Sequence, residues 1–129
     1  MSLRLARWFK KEARDLPWRT RPPGSRDPYI TLVSEIMLQQ TQASRVAERL
    51  PGFLARFPTM GDLAKASEDD VLASWSGLGY YRRARLLRAC AVEASARHAG
   101  ALPADLALLR ELPGLGGYTA GAIASLAFD

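Results

Sequence analysis

Cysteine is almost missing from this sequence: Cys90 stands alone among 129 residues. That excludes an internal disulfide and any metal site assembled from several thiolates of this chain. Strand-forming residues are scarce as well, with Val, Ile and Thr numbering 12 against 21 Ala and 19 Leu. Ala and Leu lose little entropy in a helix, so the expected fold class is all-α. No apolar run approaches the ~18 residues that span a bilayer, and no apolar stretch near the first residue reads as a signal peptide. The expectation is a protein neither membrane-bound nor secreted, hence cytoplasmic. Linkers, internal repeats and low-complexity tracts are lacking too, which fits one domain. Acidic residues are in the minority, 13 against 18 Lys and Arg, leaving a formal charge of +5. Such an excess suits a polyanionic partner, although ordinary basic proteins share it.

What is present reads as short helices in succession. A first helix is expected over about residues 2–14, broken by Pro17, followed by a Pro- and Gly-rich loop from Arg19 to Asp27. Asp27-Pro28 is a capping residue followed by a first-turn proline, a helix start. Helical spacing then runs to Pro51, with a break expected at Gln39-Gln40 and Thr41 as a candidate cap. Thr59 caps a short helix through Ala66, and Ser67-Glu-Asp-Asp70 resembles a capping box opening a helix through Trp75. The longest helix is expected from Tyr80 to Ala99, stopped by Gly100. Pro103 to Arg110 and Tyr118 to Ala127 complete the set, joined by a glycine turn.

Four segments could carry chemistry. The sharpest is Leu112-Pro-Gly-Leu-Gly-Gly-Tyr-Thr-Ala120, a helix-hairpin-helix signature. Gly114 and Gly116 allow a tight turn whose exposed N–H groups, at a helix start, bind a phosphate oxygen without reading sequence. The plain alternative is an ordinary helix–helix turn. Glu35 is the only charge between Pro28 and Ala43. Beside an apolar wall a carboxyl favours its neutral form, which suits a general acid; alone, it would read as a surface glutamate. The polar run Gln39-Gln-Thr-Gln42 beside it suits base edges. Gly77-Leu-Gly-Tyr-Tyr-Arg-Arg-Ala-Arg85, continuing to Arg88, offers aromatics to stack on bases and arginines to face phosphates, or else a solvated basic face. Finally, Trp18 and the arginines of Arg14-Asp-Leu-Pro-Trp-Arg19 could line a base pocket, although Trp18 as a core plug explains it more simply. Cys90 and Trp75 read as core, as does Trp8, and His98 as a helix-end residue.

Assembled, these segments closely resemble the adenine DNA glycosylases, the MutY family of the helix-hairpin-helix superfamily. The matching stretches are Leu16-Pro-Trp-Arg19, Asp27-Pro-Tyr29, Ser34-Glu-Ile-Met-Leu-Gln-Gln-Thr-Gln42, Phe57-Pro-Thr59, Trp75-Ser-Gly-Leu-Gly-Tyr-Tyr-Arg82 and Leu112 to Ala120. The resemblance implies a DNA base-excision repair enzyme that hydrolyses the N-glycosidic bond of adenine opposite 8-oxoguanine or guanine in double-stranded DNA, and a monomer. It implies that Glu35 is catalytic, protonating the flipped adenine, and that Tyr118 is an active-site tyrosine. Gln39 would wedge into the vacated stack with Gln40 and Thr41 beside it at the lesion strand, and Tyr80 would intercalate next to 8-oxoguanine. Leu78 would be among the DNA-binding residues, and Leu112, Gly114, Gly116 and Gly117 would grip the backbone. Arg14, Leu16, Trp18 and Arg19 would fall on the adenine pocket. The sibling endonuclease III family carries a lysine nucleophile where this chain has Tyr118; a Schiff base needs an amine, which favours a monofunctional glycosylase.

The resemblance also implies parts this sequence does not contain: an aspartate beyond the hairpin, four cysteines for a four-iron iron–sulfur cluster, and a further domain. Asp129 falls short of that aspartate, and no cluster or metal is expected on this chain. The expected layout is therefore an N-terminal helix and pocket segment over 1–19, which would pack on the absent cluster domain. A six-helix barrel follows over 20–129, with the hairpin motif at about 105–127. The chain reads as a fragment, inactive alone, of an enzyme working in the cytoplasm (at the nucleoid, if bacterial). The competing readings are a non-catalytic DNA-binding module and a glycosylase of the endonuclease III type.

Overall fold

The computed structural model describes residues 26–128, so the expected first helix and the pocket residues Arg14, Leu16, Trp18 and Arg19 lie outside the described residues, as does Trp8. Every regular element among the described residues is helical: α1 (Pro28–Leu38), α2 (Ala43–Arg56), α3 (Met60–Lys65), α4 (Glu68–Ser74), α5 (Tyr81–Arg97), α6 (Leu106–Arg110) and α7 (Gly117–Ile123). A π-helical turn, Ala124–Phe128, continues α7.

α1 starts where Asp27 accepts a hydrogen bond from the Ile30 amide, with Pro28 in its first turn. Its residues are buried almost all round, which makes it the central element. It packs on α2, α5, α7 and the π turn. Tyr29, also buried, donates to the Phe57 carbonyl at 2.6 Å and so ties the start of α1 to the end of α2.

The break after Leu38 falls where the polar run placed it, but Thr41 caps nothing. Gln42 is the N-cap of α2, without a side-chain bond. Nor does Pro51 end that helix, which continues to Arg56. Packing overrides the proline: Leu50 and Phe53 are buried on either side of it, and Phe53 meets Phe57 and Trp75 edge-on with centroids 5.1 and 6.1 Å apart.

Thr59 and Ser67 cap α3 and α4 as the sequence predicts. α5, which packs on both, starts after Tyr80 rather than at it and ends at Arg97. Ala99 and Gly100, both at positive φ, then turn the chain. α6 opens at Leu106 on an Asp105 cap, later than Pro103 suggested. α6, the glycine turn and α7 form the helix-hairpin-helix. Trp75 and Cys90 are wholly buried in one core shared by all seven helices.

Candidate nucleic-acid interface

Three segments meet around the C-terminal end of α1: the 39–42 turn, the 77–80 turn and the first turn of α7. Two sets of contacts hold them there. Gln39 donates from Nε2 to the Thr119 hydroxyl at 2.7 Å, joining the first turn to α7. Arg83, near the start of α5, joins the first turn to the second. Its Nη1 donates to the carbonyls of Ile36 (3.0 Å), Met37 (2.9 Å) and Gln39. Its Nη2 donates to the Thr41 hydroxyl (2.9 Å) and to the Leu78 and Gly79 carbonyls (3.3 and 3.4 Å).

These carbonyls lie where α1 ends, at the negative end of its dipole; the Ile36 carbonyl also accepts from the Gln39 amide at 3.2 Å. A buried guanidinium from another helix satisfies them. Its charged form is disfavoured by burial and favoured by Tyr80, the first effect being the larger. The guanidinium carbon also lies 5.5 Å from the Trp75 ring centroid and 5.3 Å from that of Tyr80.

This corrects the expectation that the arginines after Tyr81 face phosphate. Arg83 is buried, Arg85 pairs with Glu68 at 2.8 Å, and Arg88 donates to the Ala66 carbonyl at the end of α3, while Arg82 is exposed. Sequence reasoning missed Arg83, yet a signal was available. It stands on the stripe Arg83, Ala84, Leu87, Cys90, Ala91 and Ala94 that α5 turns to the core.

Glu35 is 5 % exposed, so it is no surface glutamate. It lies one turn before Gln39 on the same face of α1, the face that reaches α7 through Thr119. Tyr118 is 52 % exposed in the first turn of α7. Tyr80 is 60 % exposed and held at φ 49°. Gln40 is exposed at φ 59°, while Gln39 and Thr41 are half-buried. A polar recess of about 370 Å3 opens between the two turns, lined by Gln40, Thr41, Gln42, Arg45, Gly77 and Leu78.

The side chains of Leu78 and Leu112 belong to the core, 6 % and 3 % exposed, so only their backbone can face a ligand. In the hairpin turn, Gly114 alone adopts a left-handed φ, +78°, where a Cβ would sit 3.0 Å from the Leu86 Cβ. Gly116 caps α7 at φ −67°, with nothing within 4 Å of the Cβ it lacks. Its value is therefore open access to the backbone, not a special dihedral, as the sequence had suggested.

The family model for HhH-GPD superfamily base excision DNA repair proteins matches residues 33–123, a span that runs from within α1 to the end of α7 and includes Glu35, the two turns and the hairpin. The chain belongs to that superfamily. Among its relatives, human adenine DNA glycosylase is 45 % identical over 129 residues, covering 96 % of this chain and 24 % of the human protein. Adenine DNA glycosylase of Mycobacterium tuberculosis is 46 % identical over 124 residues, covering 96 % and 40 %. The chain thus spans 24 % of the length of the human relative and 40 % of that of the mycobacterial one. A thermostable thymine-DNA glycosylase superposes with a TM-score of 0.79 at 25 % identity, over 95 % of this chain and 58 % of that one. Endonuclease III trapped covalently on DNA shares the fold, with a TM-score of 0.74 at 21 % identity over 98 % and 61 %.

A four-iron cluster of the kind implied by the resemblance needs four thiolates. Here the one cysteine, Cys90, is wholly buried in the core, where burial pushes its thiol up to about 12. Among the described residues no group of three or more His, Cys, Asp or Glu could hold a metal. The residues present do not fit the cluster, and no chemistry below runs through it.

Proposed function

We propose that this chain is the barrel portion of an adenine DNA glycosylase acting on double-stranded DNA with adenine opposite 8-oxoguanine or guanine. The observation that carries the reading is the Gln39–Thr119 bond. It sets the turn that would fill the vacated stack against the helix bearing Tyr118, with buried Glu35 one turn away on the same face.

In this reading the flipped adenine accepts a proton at N7 from the Glu35 carboxyl. The bond from the base to the sugar then breaks, its electron pair leaves with adenine, and water adds to the cationic sugar, giving its proton to the Glu35 carboxylate. Tyr118 presents its ring and hydroxyl beside that developing charge. Gln39, Gln40 and Thr41 occupy the gap on the adenine side, Tyr80 stacks near the opposite base, and the backbone at Gly116 and Gly117 lies against a phosphate. No lysine stands at the hairpin; Lys65, on α3, is the one lysine among the described residues, and the phenol at 118 supplies no amine for a Schiff base. The reading implies work on genomic DNA, hence in the cytoplasm or nucleus.

The test grafts residues 26–128 into the matching segment of the Mycobacterium tuberculosis relative and follows adenine release in single turnover. The graft should release adenine from a duplex with an A·8-oxoguanine pair, and Glu35→Gln should slow release about 10²–10⁴-fold. Release by the Glu35→Gln graft at nearly the parent rate would overturn the assignment.

A further inference from the structure

Arg83 stands where α5 should present a hydrocarbon, at the head of that helix's core-facing stripe. Its planar fork does something no apolar residue could do there. One nitrogen serves the end of α1 and Gln39; the other serves Thr41, Leu78 and Gly79. Each turn it touches contains a non-glycine residue in the left-handed region, Gln40 in one and Tyr80 in the other, where L-residues are rarely found. The Tyr80 ring packs on the guanidinium itself. Trp75, on its other contact, donates from Nε1 to the Gly79 carbonyl at 3.0 Å and fixes the same turn from below. Arg83 Nε is buried without a partner, a cost to stability that packing alone gives no reason to accept.

We propose that Arg83 is a positioning residue that locks the 39–41 and 77–80 turns into one unit, so that Gln39–Thr41 and Tyr80 meet the two strands of a duplex at a fixed separation. The proposal rests on the DNA reading above and adds to it a determinant of discrimination that touches no nucleotide. A lysine cannot replace it. A single ammonium has three donors at one point, whereas the fork reaches two sets of acceptors from two nitrogens.

The coupling can be measured without DNA. Amide exchange in the chain would be followed by mass spectrometry at the bonded amides of Gln39 and Thr41 in one turn and of Leu78 in the other. In both Arg83→Lys and Arg83→Met, exchange should accelerate in the two turns together, roughly tenfold or more. Val71→Ala, a core truncation in α4, should leave the turns no faster than the rest of the chain. Retained protection in Arg83→Lys, or acceleration of one turn only, would overturn the coupling.

A second arm measures affinity by fluorescence anisotropy for duplexes with an A·8-oxoguanine or an A·T pair. Arg83→Lys should lower the preference for the mispair roughly tenfold while the salt dependence stays that of the wild type. An unchanged preference would overturn the positioning role. A wild-type chain that binds neither duplex would count against the DNA reading itself, and the exchange result would then decide the coupling alone.

Discussion

Replacing Gly114 by alanine imposes two separable costs on the hairpin. The first is conformational: at φ +78° an L-residue gives up about 1–2 kcal/mol. The second is steric, because the new Cβ would lie 3.0 Å from the Leu86 Cβ on α5. Crowding a packed contact in this way costs typically about 1–3 kcal/mol. Gly100 provides the internal standard: its φ is +83°, but nothing lies within 4 Å of an added Cβ. Gly100→Ala should therefore cost about 1–2 kcal/mol and Gly114→Ala about 2–5 kcal/mol. In urea unfolding followed by circular dichroism, with the slope unchanged, the larger loss lowers the midpoint by roughly 1 M or more. Gly116→Ala completes the series, since φ −67° and open space leave the folded chain nearly unaffected, at less than about 1 kcal/mol. Yet it should weaken duplex binding measured by anisotropy, because its methyl would occupy the space assigned to a phosphate. Equal losses at 114 and 100 would refute the role of the Leu86 contact. Undiminished binding by Gly116→Ala would refute the backbone grip.

Three further outcomes are expected. Cys90 keeps its proton to about 12 in the folded chain, whereas an unfolded cysteine loses it near ~8.5. Between those values the unfolded state binds fewer protons, so stability, complete below that window, should fall with rising pH by about 1.4 kcal/mol per unit; Cys90→Ala should flatten urea midpoints taken from pH 8 to 10. Tyr29→Phe removes a buried hydrogen bond to the Phe57 carbonyl and leaves that acceptor unmet, so it should cost about 1–3 kcal/mol in the same assay without changing duplex affinity. Duplex binding by the wild-type chain should weaken along a straight line of log K against log salt, and a flat line would contradict the backbone contacts.

Much of this was readable in the sequence because local chemistry decided it. Asp27, Thr59 and Ser67 cap where short polar side chains precede helical runs, and each accepts a backbone amide in the fold. The break after Leu38 follows from a polar tetrapeptide that could not continue a buried helix. Glu35 was visible as a lone charge, and its burial bears out the oddness of that setting. Long-range packing was not readable. Pro51 looked terminal because nothing local shows that Phe53 must reach both Phe57 and Trp75 on helical spacing. The arginines after Tyr81 looked alike because their fates depend on acceptors elsewhere, the Ala66 carbonyl for Arg88 and the end of α1 for Arg83. Leu78 and Leu112, named with the interface, belong to the core because their turns fold back on it.

The cap on α1 also has a consequence for the order of folding. The bonds from Arg83 to Ile36, Met37, Gln39 and Thr41 close loops of 42 to 47 residues. Contacts of that separation form only after the loop-closure entropy has been met, whereas α1 itself needs only its neighbours. The 39–41 turn therefore gains its shape late, when α5 docks, and a chain still emerging from the ribosome before residue 83 carries the helix that bears Glu35 with an unfinished end.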